Sequence, residues 1–263
     1  MIVSSSKRFL MVHIPKTGGT TLTYTFGPHS DMIAKYPFLA PVLDVSAPNQ
    51  LRWKFSDSAI KAQLLEECWD ELSASLQEDP RGLGYQAVAH HRFAQHSRLT
   101  DEINLDVLST CETYFKFAFV RNPFDYMFSV FLDKVVGPQM WRAPDPAACR
   151  RELLTEKHFA DFVGHTIDPP EALGMFVQRS QLSYIVDHQG EVAVDHVARF
   201  ERYDEEVALL CRHLDVERVE VAREQENRAN FEGLAYADFY DPPTRSRVEE
   251  CFEADFEAFD YRF

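Results

Sequence analysis

The stretch FLMVHIPKTGGTTL, residues 9–22, decides the fold class, because it joins a buried strand to a helix through a turn rich in glycine and hydroxyl groups. The mostly apolar run over 9–14 is typical of a strand buried on both faces, as the strands of parallel sheets are. A helix is predicted to begin near Thr20. Strand, turn and helix in this order begin an α/β pattern.

The same succession returns further along the chain. Residues 114–120, YFKFAFV, predict a second buried strand, and RNPFDYMFSVF follows it directly. Asn122 is a good N-cap for the next helix, with Pro123 at its first position and Asp125 at the capping-box position. Each of the two strands therefore ends in a polar loop that leads into a helix.

Alternating strand and helix patterns continue to the C-terminus. They predict an α/β fold with a doubly wound parallel sheet flanked by helices, in a single domain over 1–263. Irregular inserts are expected near 28–58 and 137–156, where prolines are frequent. Ligands of such sheets bind beyond the carboxyl ends of the strands, and the inserts are expected to shape the site for the second substrate.

Charge and cysteine content exclude several classes of function. The chain has 42 acidic and 27 basic residues and a formal net charge of −15, so we expect no nucleic-acid partner and no binding to an anionic membrane surface. Five scattered cysteines show no metal-ligand spacing, which predicts no metal site and favours reduced thiols in the cytoplasm. We find no signal peptide and no run of about 20 apolar residues, so no integral membrane segment is expected.

The first polar loop has the parts of an anion site without the nucleotide P-loop spacing. In GxxxxGK[ST] a glycine stands directly before the lysine, whereas here Pro15 precedes Lys16. The remaining parts are the lysine charge, flexible backbone N–H groups, hydroxyl donors and a helix N-terminus. The donors that follow the lysine are Thr17, Gly18, Gly19, Thr20 and Thr21. The alternative is an ordinary βα turn with an exposed lysine, although the order of strand, anion loop and helix is P-loop-NTPase-like.

The second polar loop offers another anion site. Arg121 follows the second buried strand, and Ser129 lies about two helical turns further on. Both side chains could reach one oxyanion. The structural alternative makes Arg121 the partner of a carbonyl or an acid, and makes Ser129 an ordinary residue on the helix surface.

Taken together, the two loops resemble the cofactor-binding elements of sulfotransferases that use 3′-phosphoadenosine 5′-phosphosulfate (PAPS). HIPKTGGTTL is similar to the 5′-phosphosulfate loop of the carbohydrate-type family that includes the heparan sulfate 2-O-sulfotransferases and many bacterial members. FVRNPFDYMFSVF is similar to the 3′-phosphate element of that family. Two later segments, VDHVARFERYDEEVALLCRHL and FYDPPTRSRVEECFEADFEAFDYRF, look like closing sections of bacterial members.

The resemblance implies a PAPS-dependent O-sulfotransferase that needs no metal. It gives Lys16 a catalytic role at the 5′-phosphosulfate, beside Thr17 to Thr21. It assigns the 3′-phosphate to Arg121 and Ser129. Arg228, in ENRAN, is a further candidate for nucleotide binding.

The resemblance implies that the acceptor hydroxyl belongs to a carbohydrate or glycolipid, and a general base is expected to take its proton. AVAHHRF is similar to a GHxxY-like element of related enzymes and places His90 as the base. His91 is the alternative, because neighbours on an extended segment point to opposite sides. His13 is interpreted as a packing residue.

Two other classes of protein remain as alternatives. A P-loop-type nucleotide kinase should show GK[ST] and an acid at the end of a later strand to organise magnesium, whereas the second strand ends in Arg121. A non-catalytic nucleotide-binding protein would keep both loops without a base, and His90 argues against it.

Overall fold

The computed structural model describes residues 1–35, 37, 66, 98–101, 105–167, 180–219 and 233–263. The chain divides into two compact units by its internal contacts. Unit 1 consists of Met1–Val120 and Tyr184–Asn230, and unit 2 consists of Arg121–Ser183 and Phe231–Phe263. The expected single domain over 1–263 stays a prediction.

The elements follow one another as strands and helices. The strands are β1 (Ile2–Ser4), β2 (Phe9–Val12), β3 (Phe115–Val120) and β4 (His196–Arg199). The helices are α1 (Gly19–Phe26), α2 (Asp31–Lys35), α3 (Leu105–Thr110), α4 (Pro123–Phe131), α5 (Gly137–Met140), α6 (Pro146–Leu153), α7 (Glu156–Ile167), α8 (Tyr203–Leu214), α9 (Pro242–Cys251) and α10 (Glu253–Phe259). A π-helical turn, Leu132–Val136, joins α4 to α5.

Unit 1 contains a mixed four-stranded sheet in the order β1-β2-β3-β4. β2 pairs with β3 and β3 with β4 in parallel, as the sequence predicts, with Met11 opposite Phe117 and Ala118 opposite Val197. The α/β class is therefore confirmed. The wholly parallel sheet is wrong at β1, which pairs antiparallel to β2. The reason is the short reversal over 5–8, since a parallel pair needs a long crossover connection.

The core of unit 1 explains why residues 9–12 form a strand. Phe9, Leu10 and Met11 have no exposed surface and Val12 is 1% exposed, so β2 is buried on both faces as predicted. Helices α1 and α8 contribute to the same apolar cluster as the strands. That cluster includes Phe9, Met11, Leu22, Phe26, Phe117, Phe119, Tyr203, Val207 and Leu210. Burial of this apolar surface positions the loop between β2 and α1.

Unit 2 is built from helices around an aromatic core. Its largest fully buried side chains include Phe124, Phe131, Phe159 and Phe252. The sequence predicts an irregular insert over 137–156, and the structure corrects this with the short helices α5 and α6. Pro138 is the second residue of α5, Pro144 precedes the N-cap of α6, and Pro146 is the first residue of α6, where a missing N–H costs no hydrogen bond.

None of the helices in the described ranges has the length and apolar character needed to cross a bilayer. The same ranges hold no cluster of three or more His, Cys, Asp or Glu side chains suited to a metal ion. The insert near 28–58 is described only as far as 35 and at 37, where α2 and a short 3-10 turn follow α1.

Candidate active site

The loop between β2 and α1 has an unusual backbone. Lys16 has a φ of 60° and Gly18 a φ of 83°, so both lie in the left-handed region. For Lys16 this conformation carries a steric cost, because a side chain with a Cβ seldom adopts it. Strain of this kind persists where the surroundings enforce it, and it is common at ligand-binding turns.

Two glycines of this loop pack against the side chains of Tyr203 and His13. A Cβ on Gly18 would stand 2.3 Å from the Tyr203 ring, and one on Gly19 would stand 1.8 Å from Nε2 of His13. Since real Cβ atoms do not approach so closely, any side chain at either position would force the Tyr203 or the His13 ring to move. The Tyr203 hydroxyl also donates a hydrogen bond to the Gly18 carbonyl at 2.8 Å. The buried His13 is therefore in contact with the loop, as its interpretation as a packing residue requires.

The N-terminus of α1 presents backbone N–H donors and has no acidic side chain that would repel an anion. Gly18 is the N-cap, no side chain caps the helix, and no acidic residue lies in the first turn. The first N–H groups of a helix lack intrahelical partners and carry the positive end of its dipole. Oxygens of an anionic ligand would complete this turn.

The predicted lysine and threonines of the loop differ in what they offer. Lys16 and Thr20 are half-buried, whereas Thr21 is 5% exposed. Thr17 is 1% exposed, and its hydroxyl donates to the Ile14 carbonyl at 2.8 Å. The Thr17 hydroxyl thus links the turn to the residues at the end of β2. The backbone N–H of Thr17 is then the group that could donate to a ligand.

The second loop places a cation at the start of α4. Arg121 follows β3 directly, and its Nε lies 2.7 Å from Oδ2 of Asp125. Their side chains are 14% and 24% exposed, so this ion pair is partly shielded from water. Asp125, predicted to serve a capping box, is instead the partner of Arg121. Asp125 and Ser129 are four residues apart and share one stripe of α4.

The chain around Arg121 is fixed at several points. The side-chain oxygen of Asn122 accepts from the Phe124 N–H at 3.0 Å, which confirms it as the N-cap of α4. The Asn122 amide donates to the Arg262 carbonyl at 2.8 Å. Gln181 makes two hydrogen bonds to the backbone of Arg121. These contacts hold the start of α4 within unit 2.

A buried acid supports Gln181. Asp255, on α10, has no exposed surface and accepts from the backbone N–H groups of Gln181 and Leu182. Burial raises the pKa of Asp255, and the hydrogen bonds from Leu182, Ser180 and Gln181 oppose that rise in part. Burying a carboxylate away from water costs free energy, and hydrogen bonds such as these offset that cost.

Several predicted site residues lie outside the described residues. His90, its alternative His91, and Arg228 are all among them, so their roles stay predictions. Among the described ones, Lys16 to Thr21 share one loop of unit 1. Arg121 and Ser129 share unit 2.

Sequence reasoning missed the supporting side chains Tyr203, Gln181 and Asp255. Asp255 was detectable, because it shares a helix face with Phe252 and Phe259, which predicts a buried acid. The spacing of Asp125 four residues after Arg121 was a signal for their ion pair. Gln181 and Tyr203 carry no local signal, since each acts on a residue far away in the sequence.

Comparisons with known proteins bear on the same two loops. A family model described as "Sulfotransferase family" matches residues 1–262, nearly the whole chain and both loops with it. Curated proteins and solved structures give no significant match. Since the matching model covers far more than half of the sequence, the chain belongs to the sulfotransferase family.

Proposed function

We propose that this sulfotransferase family member uses PAPS and transfers its sulfuryl group to a hydroxyl of a carbohydrate or glycolipid. The observation that carries the proposal is the turn between β2 and α1, where Lys16 takes a left-handed conformation before a helix without a side-chain cap. A lysine and a row of backbone N–H groups suit the phosphosulfate end of the donor. We also propose that the protein is a carbohydrate-type sulfotransferase. Its sheet and helices would then have the doubly wound, P-loop-NTPase-like arrangement of that type.

Lys16 is assigned the main electrostatic role in the reaction. Transfer breaks the bond between sulfur and the bridging oxygen, so negative charge grows on the phosphate side as the acceptor oxygen bonds to sulfur. An ammonium group beside that oxygen stabilises the transition state more than the ground state. The residues from Thr17 to Thr21 cradle the 5′-phosphosulfate, and the Thr17 hydroxyl keeps the turn closed.

The acceptor proton is assigned to His90. A hydroxyl attacks sulfur in line with the leaving phosphate, and a neutral imidazole takes its proton as the new O–S bond forms. The sulfated product and adenosine 3′,5′-bisphosphate leave, and the proton on the histidine passes to solvent. His91 remains the alternative base.

Arg121 and Ser129 are assigned to the 3′-phosphate. The ion pair with Asp125 keeps the Arg121 guanidinium beside the first turn of α4, and Ser129 lies on the same helix one turn after Asp125. A guanidinium binds phosphate oxygens through two parallel N–H bonds, and a hydroxyl adds a third donor. Arg228 is proposed as a further nucleotide contact.

Nucleotide selectivity tests the assignment of the donor. Adenosine 3′,5′-bisphosphate should bind at least about tenfold more tightly than AMP, because only the former offers a phosphate to Arg121. Isothermal titration calorimetry of both nucleotides against the same protein measures this preference. Equal affinities would rule out the PAPS assignment.

Transfer assays test the two catalytic assignments. Lys16→Ala should nearly abolish transfer from labelled PAPS in a screen of hydroxyl acceptors, scored by product mass. His90→Ala should lower the rate by about 10²–10⁴-fold and leave nucleotide affinity unchanged. A comparable loss in His91→Ala alone would move the base by one residue, and full activity of Lys16→Ala would remove the catalytic role of the loop.

A further inference from the structure

A buried side-chain amide holds the backbone of Arg121. Gln181 is 1% exposed. Its Oε1 accepts from the Arg121 N–H at 2.8 Å, and its Nε2 donates to the Arg121 carbonyl at 2.7 Å. The Gln181 amide therefore pairs with both backbone hydrogen-bonding groups of Arg121, the residue after β3, as a neighbouring strand would.

The amide is itself held by a carboxylate with no exposed surface. Asp255 accepts from the Gln181 N–H at 2.8 Å and from the Leu182 N–H at 2.9 Å, and the Ser180 hydroxyl donates to it as well. Nε2 of Gln181 lies 3.4 Å from the same carboxylate. The segment 180–182 is thus tied to α10 at three consecutive residues.

This network is an expensive way to stabilise a fold. An apolar side chain at position 255 would avoid the cost of drying a carboxylate, and well-packed apolar replacements of buried ionic groups are often neutral or stabilising. The hydrogen-bonded network supplies orientation, because hydrogen bonds are directional and the hydrophobic effect is not. The residue that receives this direction is Arg121.

The restraints on Arg121 act on different atoms. Gln181 fixes its backbone N–H and carbonyl, and Asp125 binds its guanidinium Nε. A long side chain normally loses rotamer freedom when it binds a ligand, and prior fixation removes part of that cost. An arginine held in this way is ready to bind an anion.

We propose that Gln181, held in place by Asp255, is a positioning residue that orients Arg121 for the 3′-phosphate of the donor. This inference rests on the proposed function, which assigns that phosphate to Arg121. Neither Gln181 nor Asp255 touches the nucleotide. Their effect therefore reaches the ligand only through Arg121.

A double-mutant cycle tests this coupling. Gln181→Met keeps the length of the side chain and removes both hydrogen bonds to Arg121. Dissociation constants for adenosine 3′,5′-bisphosphate and for AMP are measured in wild type, Gln181→Met, Arg121→Ala and the double variant. Gln139→Met, at an exposed glutamine of the same unit, is the matched control.

Selectivity is the expected readout. Gln181→Met should reduce the preference for the bisphosphate over AMP by about tenfold, the effect of about two lost hydrogen bonds of ordinary strength. In the Arg121→Ala background the same change should alter the preference by less than about twofold, and Gln139→Met should alter it nowhere. A purely structural role would weaken both nucleotides alike.

The outcomes separate the two proposals. No preference in wild type overturns the proposed function. If wild type prefers the bisphosphate and Gln181→Met keeps that preference, the positioning role alone is overturned. It is also overturned if Gln181→Met lowers the preference by the same factor with and without Arg121. If Gln181→Met does not fold, Gln181→Asn, whose shorter amide cannot span both backbone atoms, is measured instead. Failure of both variants to fold also overturns the inference, because the network would then serve the fold.

Discussion

Gly18 and Gly190 have nearly the same φ in different surroundings. Their φ values are 83° and 86°, so an alanine at either position would have an unfavourable positive φ. A Cβ at Gly190 meets nothing within 4 Å, whereas one at Gly18 meets the Tyr203 ring at 2.3 Å. The two positions therefore separate backbone strain from steric contact.

Gly190→Ala should lower the free energy of unfolding by about 1–2 kcal/mol, the cost of a left-handed conformation for a residue with a Cβ. Gly18→Ala should cost about 1–3 kcal/mol more, because the Tyr203 ring must move. Urea unfolding of both variants measures the difference. Gly18→Ala should also weaken nucleotide binding, and equal stability losses in the two variants would contradict the packing of Tyr203 beneath the loop.

At the scale of elements, caps decide where several helices begin. Asp145 accepts from the Ala148 N–H at 2.9 Å at the start of α6, and Asp241 accepts from the Thr244 N–H at 2.8 Å at the start of α9. Pro146 and Pro242 then occupy the first helical positions. This cap-and-proline pattern explains why Pro146, in a range interpreted as irregular, begins a helix.

Asp241 gives this capping a pH dependence. Hydrogen bonds from the Thr244 side chain and N–H lower the pKa of Asp241 from its usual value of 3.8. A lowered folded pKa means that the carboxylate contributes stability above about pH 4, and that this contribution is lost as the pH falls through the folded pKa.

Asp241→Asn keeps a good cap without the charge, so wild type should be more stable near pH 6 and the gap should narrow below pH 4. Urea unfolding at both pH values measures the gap. Glu152→Gln, at an exposed residue of α6 in the same unit, shows the effect of losing one negative charge elsewhere. A gap that grows toward acid pH would contradict the capping role.

The strand-to-helix segments were predictable from sequence because their signals are local. The apolar run at β2, the buried strand before Arg121 and the Asn122-Pro123 helix start all lie within a few residues of what they determine. The edge strand β1 was missed because three residues carry little periodicity. Tyr203 and Gln181 could not be assigned, and the burial of Asp255 could be predicted without its partners, since these contacts are set by the packing of distant segments.

At the scale of the whole molecule, burial should control the reactivity of the thiols. Cys111 is 1% and Cys211 7% exposed, and burial raises the pKa of both. Cys149 is only half-buried. The thiolate is the reactive form, so the raised pKa and the lack of solvent access both lower the reactivity of Cys111 and Cys211.

Iodoacetamide at pH 8 should therefore label Cys149 well before Cys111 and Cys211 in the native protein. Peptide mass spectrometry over a time course measures the order of labelling. The same reaction in denaturant is the control, because the three thiols should then react at similar rates. Fast native labelling of Cys111 would contradict its place in the core.

The hydrogen bond from Tyr203 to Gly18 joins residues 185 positions apart. During synthesis at about 5–20 residues per second, the anion loop emerges roughly 10–40 seconds before the helix that pins it. Over that interval the lysine turn has no tyrosine to hold it, so the nascent chain carries the loop sequence without its finished geometry. Ligand affinity is thus acquired late in biosynthesis, and a ribosome-bound chain stalled before Tyr203 should be unable to select a nucleotide.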